Sequence, residues 1–339
     1  MMSKTTMKDI AEKLNVSINA VSLALNDKEG VSQELRMQIL ELAVAMNYPS
    51  KKLNAKATLK NKTICILINE KKKNDTYYYL DMLSHIKKEA NTFGYRILVE
   101  YYSLDHLEIP DCISEHHIAG IIILGKITQE MIYQMKLYNS HILCINHSIP
   151  YMNLDYMITN DFLGGYLSCD FLIKKGCRDI GFIGDIEKSK NFKQRFQGYR
   201  QCMINHFHPK KYELICLTKG IEQAVLNNDY RYIQKMLLTY RKMPEAFVCV
   251  NDRNAAVAIK ALQYNGYKIP QDIKMIGFDN MEFAKTLTPT LTTLEVNRYT
   301  IAKRAIRRMH EMIHEETTPE TIMLSPYIIE RQSTKNPDI

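Results

Sequence analysis

The chain has 339 residues, of which 46% are hydrophobic and 24% charged, with a formal net charge of +8. That length exceeds one small core and suits two or three compact units, and the composition excludes a disordered or fibrous chain. No apolar run reaches the roughly 18 residues of a membrane span, and the polar start "MMSKTTMKDIAEKLN" lacks a signal core, so a cytoplasmic location is expected.

The first 48 residues read as three short helices. Thr6-Met7-Lys8-Asp9 is a capping box that opens the first, with Ile10, Ala11 and Leu14 on one face. Asn15 stands where the turn needs a left-handed backbone, which Asn tolerates. Ser17 caps the second helix, whose inward face is Val21, Ala24 and Leu25, and Ser32 caps the third, running to about Met46. Two helices joined by a tight turn at 7–25 form a helix-turn-helix unit, whose second helix enters the major groove of DNA. Its outward residues are Ile18, Asn19, Ser22 and Leu23. Asn19 can read an adenine edge bidentately, while Ile18 and Leu23 can touch only methyls or apolar base edges. The helix has no charge, so attraction to DNA has to come from phosphate contacts around it.

Residues 1–62 hold ten Lys/Arg against six Asp/Glu, and 51–62 hold five lysines and no acid. Charge alone supports a phosphate-tracking segment and a solvated linker equally. From residue 63 the pattern changes. Strand candidates at 63–69, 95–102, 118–125, 141–146, 179–184, 246–251 and 273–278 alternate with helical segments at 78–93, 164–176, 192–207 and 253–265. That alternation predicts parallel sheets with right-handed crossovers, long enough for two, with ligands at the carboxyl ends of strands. Eight cysteines show no CxxC spacing. Cys65, Cys144 and Cys249 sit in apolar strands as small buried hydrophobes, so a reduced compartment without disulfides is expected.

The segment "MKDIAEKLNVSINAVSLALN…GVSQELRMQILELAVAMNY" resembles the DNA-binding headpiece of the lactose-repressor/galactose-repressor family of bacterial transcriptional regulators. The resemblance runs on through "GYRILVEYY", "AGIIIL", "TNDFLGGYLSCDFLIKKGCRDIGFIG", "RFQGYR", "VNDRNAAVAIKALQYNGYKIPQDIKMIGFDN", "LTPTLTTLEVN" and "IIERQST", in the family's order. It implies a fold in two parts, an all-α helix-turn-helix headpiece (1–48) and, after a hinge or linker (49–62), an α/β core like periplasmic binding proteins (63–334). The core's two parallel-sheet subdomains are expected at about 63–159 with 291–320, and about 160–290 with 321–334. Function follows as a DNA-binding repressor, a homodimer on a palindromic operator, controlled by a carbohydrate-like effector between the subdomains. A nucleobase or a protein corepressor is the alternative. No cofactor, metal site or membrane partner is expected.

Carried over by position, Ile18, Asn19 and Leu23 fall where the family reads bases, and Thr6, Ser17, Ser22, Asn26 and Ser32 where it holds phosphates. Leu23 departs from the family's usual arginine, a guanine reader. The family's hinge wedges a leucine into the minor groove. Here "YPSKKLNAKATLKNK" offers Leu53 and Leu59, and Ala57 falls nearest the expected place. Effector contacts are implied at Arg195, which matches a binder of polar groups, and at Asp279, which matches an acceptor of hydroxyl hydrogens. Asn191 and Asn251 are further polar candidates. Tyr78 and Tyr79 lie where the family has N-P-F-F, and Phe162 lies where a ring can stack on ligand.

Two enzyme readings compete. "HEMIH" matches H-E-x-x-H, with His310, Glu311 and His314 as a zinc hydrolase set. The segment is a charged helix with Met309, Met312 and Ile313 as its buried stripe, and no third ligand stands at short spacing. A dinucleotide enzyme is disfavoured because no G-x-G-x-x-G follows a strand. "HFHP" at 206–209 reads as a loop after a helix rather than a metal site.

Overall fold

A computed structural model describes residues 5–26, 28–46, 48, 62–70, 76–104, 108–115, 117–207, 216–217, 219–239 and 242–335. The hinge candidates Leu53, Ala57 and Leu59 lie outside them.

The headpiece is three helices, α1 (Met7–Leu14), α2 (Ile18–Leu25) and α3 (Gln33–Ala45). Local chemistry fixes each start. The Thr6 side chain accepts from the Asp9 amide while the Asp9 carboxylate takes the Thr6 amide, and Ser17 and Ser32 accept from Ala20 and Leu35. Such caps satisfy donors a helix start leaves orphaned. Asn15 closes α1 at φ 53°, the left-handed turn its sequence position predicts. Ile10, Val21, Ala24, Ile39 and Leu40 are fully buried between the helices.

The chain then alternates β1 (Thr63–Asn69), α4 (Thr76–Thr92), β2 (Arg96–Tyr102), α5 (Asp111–Ser114), β3 (Gly120–Leu124), α6 (Gln129–Lys136), β4 (Ile142–Ile145) and β5 (Asp155–Thr159). There follow α7 (Asp161–Lys174), β6 (Ile180–Ile183), α8 (Lys190–His206), β7 (Cys216–Leu217), α9 (Glu222–Leu226), α10 (Tyr230–Leu237), β8 (Ala246–Cys249), α11 (Asp252–Tyr264) and β9 (Lys274–Ile276). The last elements are β10 (Thr293–Glu295), α12 (Arg298–His314), β11 (Thr321–Leu324) and β12 (Tyr327–Ile329).

Two compact units result. Residues 1–158 and 298–322 form the first, and 159–297 and 323–339 the second. The larger sheet runs β11-β5-β4-β3-β1-β2, and every pair from β5 to β2 is parallel. Its central strands "ICILI", "GIIIL" and "ILCI" are buried throughout, as in parallel sheets covered on both faces. The second unit holds the parallel sheet β7-β6-β8-β9 and the antiparallel pair β10-β12.

That antiparallel pair shifts one expected boundary. Residues 291–297, expected with the first subdomain, belong to the second unit, because β10 pairs with β12 and the Gly277 amide donates to Thr292. The second correction concerns His206, which is not in a loop but is the last residue of α8.

Within the first unit the headpiece is joined to α6. Gln33 donates to Glu130 at 2.6 Å, and Gln134 donates to the Ala24 carbonyl at 3.4 Å. Arg36, buried, donates to the carbonyls of Ala24 and Lys28 and lies 3.8 Å from Glu130. A buried guanidinium with several acceptors is satisfied and rigid, and here it fixes the C-terminal end of α2.

Candidate functional site

On α2, Val21, Ala24 and Leu25 are buried and Ile18 is 50% exposed. Asn19 is exposed beside Ile18, and Ser22 and Leu23 are half-buried. The edge predicted to face DNA is therefore uncovered at its N-terminal end. Leu23 is turned towards the following loop, its Cδ1 3.1 Å from where a Cβ on Gly30 would stand. Among the phosphate candidates, Ser17 and Ser32 accept at helix starts, so each hydroxyl proton can still be donated outward. The Thr6 hydroxyl gives its proton to Asp9 at 2.8 Å. The Asn26 amide turns back onto the Ser22 carbonyl at 2.8 Å.

In the second unit the candidate effector residues gather on Asp161, the first residue of α7, which the sequence did not single out. Arg195 Nε donates to Asp161 Oδ1 at 2.7 Å, and Asn191 Nδ2 to Asp161 Oδ2 at 2.6 Å. The same guanidinium donates to the Val250 carbonyl at 2.7 Å and reaches Asp279 Oδ1 at 3.4 Å. Its central carbon stands over the Phe278 ring, 3.5 Å from the centroid, with that of Phe192 at 5.8 Å. Asp161 is 2% exposed and Arg195 7%. Burial pushes the Asp161 carboxyl above its usual value, against the pull of Arg195 and Asn191. Asp279 adopts φ 99° and its amide donates to the Leu294 carbonyl at 2.9 Å, so a strained backbone aims this carboxylate.

Other candidates lie elsewhere. Asn251 is the N-cap of α11, its Oδ1 taken by the Asn254 amide at 2.9 Å. Phe162 is 41% exposed and lines a shallow hollow with Gln197, Arg200, Gln201 and Ile204. Tyr79 is half-buried on α4, in the first unit. The side chain of Tyr78 lies outside those described.

A second buried carboxyl, Asp252, accepts from Thr293 Oγ1 at 2.5 Å and from the Met281 amide at 2.7 Å. Burial, with the repulsion of Asp279 added, pushes it up to about 8 from an ordinary 3.8. Between those values the native state holds a proton that the unfolded chain has lost, so stability falls as pH rises through the window. Relative to Asp252→Asn, which mimics the protonated group, the wild type should lose about 1.4 kcal/mol per pH unit there. Urea unfolding of both proteins across the window measures the difference, and parallel curves would contradict the assignment.

The H-E-x-x-H stretch is otherwise occupied. The Tyr95 hydroxyl meets His310 Nδ1 at 2.9 Å and His314 Nε2 at 3.2 Å. Glu311 lies 3.5 Å from Arg308, which also binds Asp155 at 2.6 Å. Both imidazoles face a phenol, and the would-be base pairs with a guanidinium, so the residues serve helix packing. Among the described residues, no helix is long and apolar enough to cross a membrane.

Comparison with known proteins agrees with this architecture. The chain is 29% identical over 335 residues to the probable HTH-type transcriptional repressor ExuR of Bacillus subtilis, covering 97% of this chain and 98% of that protein. The fold is similar to the transcriptional regulator CelR–cellobiose complex, with a TM-score of 0.69 at 17% identity, covering 97% of this chain and all of that one. It is also similar to the lac repressor dimer bound to operator and the anti-inducer ONPF, with a TM-score of 0.67 at 20% identity, covering 98% and 99%. Residues 169–334 match the periplasmic binding protein-like domain. Residues 6–50 match the bacterial regulatory proteins of the lacI family, the family to which this chain belongs.

Proposed function

We propose that this protein is a cytoplasmic, sequence-specific transcriptional repressor, not an enzyme, that binds a palindromic operator as a homodimer and responds to a small carbohydrate-like effector. The observation that carries the reading is α2, which buries Val21, Ala24 and Leu25 and leaves Ile18 and Asn19 exposed at the start of a capped helix. That is the presentation a helix needs to reach base edges in the major groove. The names of the similar proteins, one a repressor and one a dimer on its operator, support it.

For the effector, one guanidinium faces two carboxylates, Asp161 and Asp279. Such a cluster is rich in acceptors and suits the hydroxyl hydrogens of a neutral sugar, while a carboxylate or phosphate ligand would meet Asp279 as a like charge. The similar structure of a regulator–cellobiose complex points the same way. Effector control requires different affinities for two arrangements of the protein.

Selecting bound duplexes from a random pool tests the DNA reading. A palindromic consensus is expected, and Asn19→Ala should then weaken operator binding by about 1–3 kcal/mol with little change on non-specific DNA. Equal losses on both would remove Asn19 from base reading. A selection that enriches no sequence would reject the regulator reading itself.

A further inference from the structure

At the far ends of α7 and α8 from the effector cluster, four side chains of metal-binding type converge. Cys169 and Asp170 come from α7, and Cys202 and His206 from successive turns of one face of α8. The ligand atoms of Asp170, Cys202 and His206 all lie within 4.8 Å of one another, and His206 Nε2 is 3.1 Å from Asp170 Oδ1. A tetrahedral ion bound at about 2.0–2.3 Å holds its ligands roughly 3.3–3.8 Å apart, so small side-chain movements suffice.

Two further observations favour a cation, and a third leaves room for one. Cys169, fully buried like Cys202, shares a side-chain hydrogen bond with it, so the Cys202 sulfur is supported from the protein side. His206 is the last residue of the 17-residue α8, so the negative end of the helix dipole faces the cluster. Lys174, the charged neighbour, sits on the other carboxylate oxygen, Asp170 Oδ2, at 2.7 Å, with its side chain 74% exposed. It can hold Asp170 from outside while Oδ1 turns to a metal.

We propose that Asp170, Cys202 and His206 bind one thiophilic divalent cation of the zinc type, with Cys169 supporting the thiolate and solvent filling the fourth position. On binding, Cys202 loses its thiol proton to solvent, so affinity rises with pH. The ion joins the two helices that carry Asp161 and Arg195.

Cobalt(II) added to the reduced, metal-stripped full-length chain is the probe. One equivalent should produce a thiolate-to-cobalt charge-transfer band and the visible bands of a tetrahedral ion, and zinc should displace both. Cys202→Ser should abolish the charge-transfer band. His206→Gln, at a largely exposed position that tolerates change, should weaken cobalt binding at least about tenfold. Absence of a saturating one-equivalent signal overturns the proposal. So does binding left unchanged by both His206→Gln and Asp170→Asn, which would assign the cobalt to other cysteines.

Discussion

Arg195→Met is expected to destabilise the second unit by about 3 kcal/mol or more, beyond any loss of effector response. Arg195 is the main partner of Asp161, which is 2% exposed, and it also takes the Val250 carbonyl. Removing the guanidinium leaves a buried carboxyl that still accepts from Asn191 but has lost its positive charge partner. Such a group prefers its proton, so the variant should keep losing stability as pH rises beyond the window in which wild-type Asp161, itself raised by burial, already does so. Urea unfolding at several pH values checks both. The double variant Arg195→Met/Asp161→Asn should recover much of the loss, because the second change removes the stranded charge. A single variant as stable as wild type would mean that the pair is not what holds α7 to α8. The practical consequence is that loss of effector response in an Arg195 variant demands a folding control, whereas Asp279, further from the buried pair, gives the cleaner functional test.

Gly198→Ala is expected to be comparably severe. A Cβ at Gly198 would stand 1.9 Å from the Phe162 carbonyl oxygen, and one at Gly165 1.9 Å from that of Arg195. Both obstacles are backbone, so relief requires the helices to move apart rather than a rotamer to turn. Overpacking of this kind costs about 1–3 kcal/mol even where side chains can adjust, and the upper end or beyond applies here. Separation would also pull Arg195 on α8 from Asp161 on α7. A melting temperature lowered by several degrees, with weakened effector response, is the expected result. Unchanged melting would show that α7 and α8 tolerate a wider spacing.

The two glycines illustrate what was legible in the sequence. "LGG" and "QGYR" fall at family positions, but only the structure reveals that they pack two helices backbone to backbone. The headpiece was readable because Thr6, Ser17 and Ser32 cap helices by local chemistry that needs no tertiary information. The parallel strands were readable because burial on both faces makes them continuously apolar. β5 escaped because "DYMIT" is polar at both ends, its Asp155 being buried with Arg308 and the Glu320 amide as donors. α6 escaped because Met131, Ile132, Tyr133, Gln134 and Met135 are all buried, which erases the helical periodicity. Arg195 and Asp279 were found through their motif positions. Asp161, which holds the cluster together, looks in sequence like any acid in a first helical turn, and the φ of Asp279 leaves no sequence signal at all.

The reading edge of α2 carries no formal charge, and that separates two properties that many DNA-binding helices combine. Under the proposed function, grip on the duplex comes from groups at phosphates, whose contribution arises from releasing condensed counterions and weakens steeply as ionic strength rises. On the proposed reading, choice of site comes from an amide and apolar surface at Ile18 and Asn19, whose contacts release no counterions. A rise in ionic strength would then shorten the time spent on every stretch of DNA by a similar factor while leaving the ranking of sites intact. A protein so built stays selective while its occupancy falls.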